Sequence, residues 1–369
     1  MNDAWKRVKK EISQSPAIGA ILLVLCAIPM PVGVNSVALA ILGAVAIFYF
    51  YRYRFFRVEA AMLYPILLFA LMALSLLWSI DVHDSQKALG KEAMLLVIPL
   101  CFMMFPVLTR EQKDRLLGYY SYAMTIFALF CLVRAGVRFL DTGNKMVFFY
   151  HELVTEMVNA IHVSIYFAMA LLWFLNNGIS SRVQQSACVV LLVCLVLLSS
   201  KNVIIIFALL ATISILRKRT SAQTRIGLLV AGVAGVVVLA FSPSVTKRFM
   251  AEFSTVGADN TLSNEIGNGN VYNKSIREAW NNEKFTPNDY FPGTAMRVLQ
   301  IRFFGEMLQE DAIFWNGYGL NASYGKIAEK VEKYNLYEGY TKFNFHNQYI
   351  QNFADLGFFG LLLLLVMLV

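Results

Sequence analysis

Ten apolar runs, each long enough or nearly long enough to cross a hydrocarbon core of roughly 30 Å, are strung along a chain of 369 residues. They lie near Ala17 to Pro31, Val34 to Tyr51, Ala60 to Trp78, Ala93 to Leu108, Tyr119 to Leu140, Ile161 to Leu175, Ala187 to Ser199, Val203 to Leu216 and Ile226 to Phe241, with the last from Tyr349 to the end. Hydrophobic residues make up 58% of the sequence, which excludes a soluble globular protein. The predicted fold class is all-α: a polytopic integral membrane protein of about ten transmembrane helices with one large, mainly helical extracytoplasmic loop.

Lysine and arginine beside a span resist translocation, so basic connectors mark the cytoplasmic side. Alternate connectors are basic: Lys6, Arg7, Lys9 and Lys10 before the first run, Arg52, Arg54 and Arg57 after the second, Arg110, Lys113 and Arg115 after the fourth, and Arg217, Lys218, Arg219 and Arg225 after the eighth. Those between them, such as Asp81 to Glu92, carry fewer cations and more carboxylates and amides. The amino terminus is therefore placed in the cytoplasm and the stretch from about Pro243 to Phe345 outside. This divides the chain into a nine-span bundle at 1–242, an extracytoplasmic domain at 243–348 and a final helix at 349–369. Because that last apolar stretch has no polar anchor, we expect the natural chain to continue.

The net charge of +8 is thus a topology signal, and the long loop has no basic stripe interleaved with aromatics that would bind nucleic acid. All five cysteines, Cys26, Cys101, Cys131, Cys188 and Cys194, fall within or at the ends of the predicted spans, which leaves no disulfide framework or zinc site in the loop. The first apolar run lacks a cleavage site and reads as an anchor.

Within the loop, Gly257 to Asn273 is rich in glycine, asparagine and threonine and predicts irregular chain. Helical spacing follows at Thr294 to Asp311 and Gly325 to Tyr334. On the first of these, Arg302 shares a face with Glu306 and Gln309, so a solvated pair at i, i+4 is expected. Arg297 falls on the stripe of Ile301, Phe304 and Leu308, which predicts an inward guanidinium needing an anion, either a structural carboxylate or a bound phosphate. Lys201, in the polar break Ser199-Ser200-Lys201-Asn202, either snorkels to the interface or joins Arg297 on the outer side. His346 opens the last run at the water–lipid boundary.

The stretch Phe343-Asn344-Phe345-His346-Asn347-Gln348-Tyr349-Ile350-Gln351-Asn352-Phe353-Ala354-Asp355-Leu356-Gly357-Phe358-Phe359-Gly360 resembles the signature of the O-antigen ligase family. Upstream, Gly293-Thr294-Ala295-Met296-Arg297 and Trp315-Asn316-Gly317-Tyr318-Gly319 are similar to that family's arginine-led helix and Gly-x-Gly element. Ser199-Ser200-Lys201 falls where many members carry a serine followed by an arginine; lysine keeps the charge but loses the bidentate fork.

The resemblance implies transfer of a polysaccharide from an undecaprenyl-diphosphate-linked donor to the lipid A core of lipopolysaccharide, on the periplasmic side of a bacterial inner membrane. Related polysaccharide polymerases share the signature, so an O-antigen polymerase using a second lipid-linked repeat is the alternative. In this reading His346 is the general base. Arg297 and Lys201 bind the diphosphate, helped by backbone N–H groups where the last helix starts. Asn347, Gln348 and His162 are secondary candidates; His162 sits where some members carry a histidine, but Val163 replaces their proline. Taken alone, a histidine at such a helix start is commonly just an interfacial polar residue. No cofactor is implied. No Asp-x-Asp occurs and the first external connector, Pro31 to Gly33, is too short to hold a carboxylate pair, so a metal-independent reaction is expected. A transporter is disfavoured because the middles of the runs carry almost no ionisable residues.

Overall fold

The computed structural model describes residues 15–155, 158–198, 200–217 and 271–368. The amino-terminal basic cluster, the basic stretch after Arg217, the ninth predicted span, Ile226 to Phe241, and the first part of the predicted irregular loop lie outside the described residues. Helices account for nearly all regular structure. In chain order they are α1 (Pro16–Ala27), α2 (Val32–Tyr53), α3 (Ala60–Leu74), α4 (Val82–Glu92), α5 (Met94–Met104), α6 (Arg110–Thr142), α7 (Ala160–Asn177), α8 (Arg182–Leu197), α9 (Lys201–Arg217), α10 (Ile276–Asn281), α11 (Gly293–Glu310), α12 (Ser323–Lys333) and α13 (Gln348–Leu368). One two-residue pairing, β1 (Tyr272–Asn273) in parallel with β2 (Asp289–Tyr290), lies in the loop predicted to be mainly helical, with β1 at the end of its predicted irregular stretch.

Among the described residues five helices are long and apolar enough to cross a membrane: α2, α3 with its 3-10 extension to Leu77, α6, α7 and α13. The predicted runs at α1, α5, α8 and α9 are also helical but shorter, with 12, 11, 16 and 17 residues. The predicted polar connector Asp81 to Glu92 is itself largely a helix, α4, capped by the Asp81 carboxylate accepting the Asp84 N–H at 3.0 Å.

The chain divides into two compact units, Met1–Phe55 with Met104–Thr246, and Phe56–Met103 with Lys247–Val369. The first is built on α6, whose 33 residues span about 50 Å at a rise of ~1.5 Å per residue. Its start is fixed by a capping box between Thr109 and Gln112, and its end by Gly143 in the left-handed region. Met124, Ala128, Cys131 and Ala135 follow one another at helical spacing on its buried face and meet Phe167, Ala170 and Phe174 of α7 and Leu191, Cys194 and Leu195 of α8. Small residues in that seam let the helices approach closely. Charge is confined to the ends of α6: Asp114 accepts from Trp173 Nε1 and Asn177 Nδ2, both at 3.0 Å, while Arg138 pairs with Glu152 and Arg134 donates to the carbonyl of Val154.

The second unit packs α11 and α12 over a core of Leu299, Phe303, Met307, Ile327, Val331 and Tyr340, with Phe345 fully buried. Arg302 pairs with Glu306 at 3.1 Å, as its spacing predicts, but the expected solvation does not hold: its side chain is only 14% exposed. Its guanidinium also donates to the carbonyl of Asn282 at 2.7 Å and to Tyr334 Oη at 2.9 Å, and lies over the Tyr334 ring at 4.7 Å. Lys330, 5% exposed, closes the cluster on Glu306 and Glu310 at 2.8 and 2.7 Å. The reason is tertiary: α10 and α12 cover the face that an isolated helix would leave wet.

Arg302→Ala is therefore expected to destabilise this unit by on the order of 2–3 kcal/mol, the scale of charged hydrogen bonds left unmade, read as a lower unfolding temperature in detergent. Burial opposes the ionisation of Glu306, but hydrogen bonds from Lys330 and Tyr334 and the charges of Lys330 and Arg302 outweigh it and hold its carboxyl below the usual range. Its contribution is thus present above the unfolded carboxylate value of about 4.3 and is lost as pH falls through the depressed folded value. An unfolding temperature unchanged by Arg302→Ala at neutral pH would contradict the assignment.

Candidate functional site

Arg297 and His346 both belong to the second unit. Helix α11 starts at Gly293 behind Pro292, which offers no side-chain cap, so its first-turn N–H groups stay available and give this end positive character. Arg297 follows in the next turn. Its expected inward placement is corrected: the buried row of α11 runs through Ala295, Met296, Leu299, Gln300, Phe303 and Met307, and Arg297 is exposed. The choice follows from packing, since Phe303 and Met307 fill the core while Ile301 stays 40% exposed. Among the described residues Arg297 makes no hydrogen bond or ion pair, so the structural carboxylate considered for it is not found there.

His346 sits in the turn before α13 with φ of 47°, the left-handed region. Its N–H is accepted by Asn344 Oδ1 at 2.8 Å, and its ring meets Phe343 edge-on at 5.5 Å. Partial desolvation lowers the imidazole below its ordinary value of 6.5, and the Arg297 charge lowers it further. Both effects favour the neutral form, the form that accepts a proton.

Asn347 is the cap of α13: its Oδ1 accepts the N–H groups of Tyr349 and Ile350 at 3.0 and 3.3 Å. The helix-start donors expected to help bind a diphosphate are therefore taken by the protein itself at those two positions. The start of α11, by contrast, has no side-chain cap, a feature signalled in the sequence by Pro292-Gly293. Gln348 donates to Asn352 Oδ1 at 3.2 Å.

Lys201 and His162 lie in the other unit. Lys201 is the first residue of α9, directly after buried Ser200, and its side chain lies outside the described residues. His162 is exposed in the first turn of α7, behind the Asn159 cap.

The two glycine motifs hold each other. Gly357, with φ 68° and ψ −162°, breaks α13. The break frees the carbonyls of Ala354 and Asp355, which accept the N–H groups of Tyr318 and Gly319 at 2.8 Å each, while Phe358 N–H donates to Phe314. The same loop is held on its other side by Trp78 Nε1 donating to the Asn316 carbonyl at 2.9 Å and by Leu320 N–H donating to Ser75 Oγ at 3.0 Å. These motifs thus fix the loop after α11 into the break of α13, the helix that follows His346.

Sequence reasoning missed a buried polar group about two turns into α13. Asp355, 5% exposed, accepts from Gln351 Nε2 at 2.9 Å, and the same amide donates to Ser323 Oγ at 2.9 Å. The i, i+4 spacing of Gln351 and Asp355 in so apolar a helix was the available signal.

Residues 186–365 match the family model described as O-antigen ligase. That region contains Lys201, Arg297 and His346 but not His162. No curated protein and no solved structure matches the chain.

Proposed function

We propose that this chain, whose residues 186–365 match the O-antigen ligase family model, is a membrane glycosyltransferase that transfers polysaccharide from undecaprenyl diphosphate to the lipid A core of lipopolysaccharide. The observation that carries this reading is the exposed Arg297 beside a histidine whose pKa desolvation and that guanidinium lower. A diphosphate is already a good leaving group, so such an enzyme needs a base for the acceptor hydroxyl and positive charge for the departing phosphates. His346 removes the proton. Arg297 and the open start of α11 receive the anion. In this proposal the chain crosses an inner membrane ten times with its amino terminus in the cytoplasm, and 243–348 works on the periplasmic side. The family also includes polymerases, which would use the same base and cations on a second lipid-linked repeat.

A deletion strain separates the two. Loss of every capped core band in its lipopolysaccharide is the expected result, and core bearing a single repeat would assign the chain to polymerisation instead. In a reconstituted assay with lipid-linked polysaccharide and purified core, EDTA is expected to leave the rate unchanged. Inhibition that magnesium or manganese reverses would overturn the metal-independent reading.

A further inference from the structure

Arg297 and His346 stand on separate segments, so some contact must set the distance between them. Gln300 lies one turn along α11 from Arg297, is 2% exposed, and donates from Nε2 to the carbonyl oxygen of Asn344. Asn344 accepts the His346 N–H on its own side chain. Between them Phe345 is fully buried, and its N–H donates to Gln351 Oε1 at 3.3 Å. Three successive residues are therefore tethered, which is what a non-glycine residue at positive φ requires in order to persist.

The other end of the amide points the same way. Gln300 Oε1 is buried and, among the described residues, has no hydrogen-bond partner, an arrangement that costs stability. A methionine or leucine of similar size would avoid that cost, so the donated bond is what the amide adds at this position.

We infer that Gln300 is a positioning residue: its amide ties the backbone carrying His346 to the helix carrying Arg297 and so fixes the base against the cation. The roles of base and cation rest on the proposed function, but the tether does not. Arg297 is the charged side chain acting on His346, and Phe343 is the ring beside it. Tyr324, which hydrogen-bonds Asn344, and Asp355, which holds Gln351, stand behind the turn.

The test uses the full-length protein in detergent and needs no substrate. Carbethoxylation of His346 by diethyl pyrocarbonate is followed against pH by mass spectrometry of its peptide. In Gln300→Met the midpoint is expected to move up, toward that of Arg297→Gln, because the guanidinium is no longer held close. In the transfer assay kcat is expected to fall by about 100-fold, the scale of an ångström-sized misplacement, with donor KM nearly unchanged. A purely packing role would leave the midpoint at the wild-type pH, and that result overturns the inference. If Gln300→Met does not accumulate, Asn344→Ala, at an exposed position, removes the next link and must give the same upward shift; an unmoved midpoint there also overturns it. A shifted midpoint in a protein whose His346→Ala variant is fully active would uphold the tether while removing the catalytic reading.

Discussion

His346→Ala is expected to lower kcat by about two to four orders of magnitude, the usual worth of a positioned general base, while the protein still accumulates in the membrane. The residue is exposed, with its ring edge-on to Phe343, so its loss leaves no buried cavity. The pH dependence gives a second reading of the same group. A base works in its neutral form, and desolvation together with Arg297 lowers the pKa of His346. Activity should therefore hold at neutral pH and be lost as pH falls through a midpoint below the ordinary value of about 6.5. Arg297→Gln should raise that midpoint and weaken donor binding. Full activity in His346→Ala, or an acid limb that ignores Arg297, would reduce the histidine to an interfacial residue.

Gly357→Ala should be more damaging to the fold than any other single methyl added to the second unit. A Cβ there would stand 2.2 Å from the carbonyl oxygen of Trp315, and the backbone is at φ 68°, ψ −162°, a region reserved almost wholly for glycine. Strain of about 1–3 kcal/mol adds to a clash with backbone that cannot swing aside. We expect little folded protein and rapid proteolysis of the 314–320 loop in what remains. Gly305→Ala is the control: its Cβ would meet nothing within 4 Å, and alanine within a helix gains roughly 0.5–1 kcal/mol over glycine. Equal accumulation of the two variants would mean that the α13 break does not depend on glycine.

These outcomes separate what was legible in the residues from what was not. The apolar runs were legible because each helix satisfies its own backbone within one segment: every predicted run among the described residues is helical. So was the Arg302–Glu306 pair, four residues apart on one helix. The sequence alone determined these features, since they depend on neighbours three or four positions away. It also marked His346 and Arg297 by motif, without a geometry for either. Tertiary structure alone decided that Arg302 is buried under Tyr334, that Arg297 faces outward, and that Asn347 occupies the helix-start donors. It alone laid the Gly317–Gly319 loop into the α13 break. Those facts depend on contacts such as Trp78 to Asn316, separated by 238 positions, or Gln300 to Asn344, separated by 44. No local period encodes such a pairing, because which face of a helix is covered depends on what the rest of the chain brings against it.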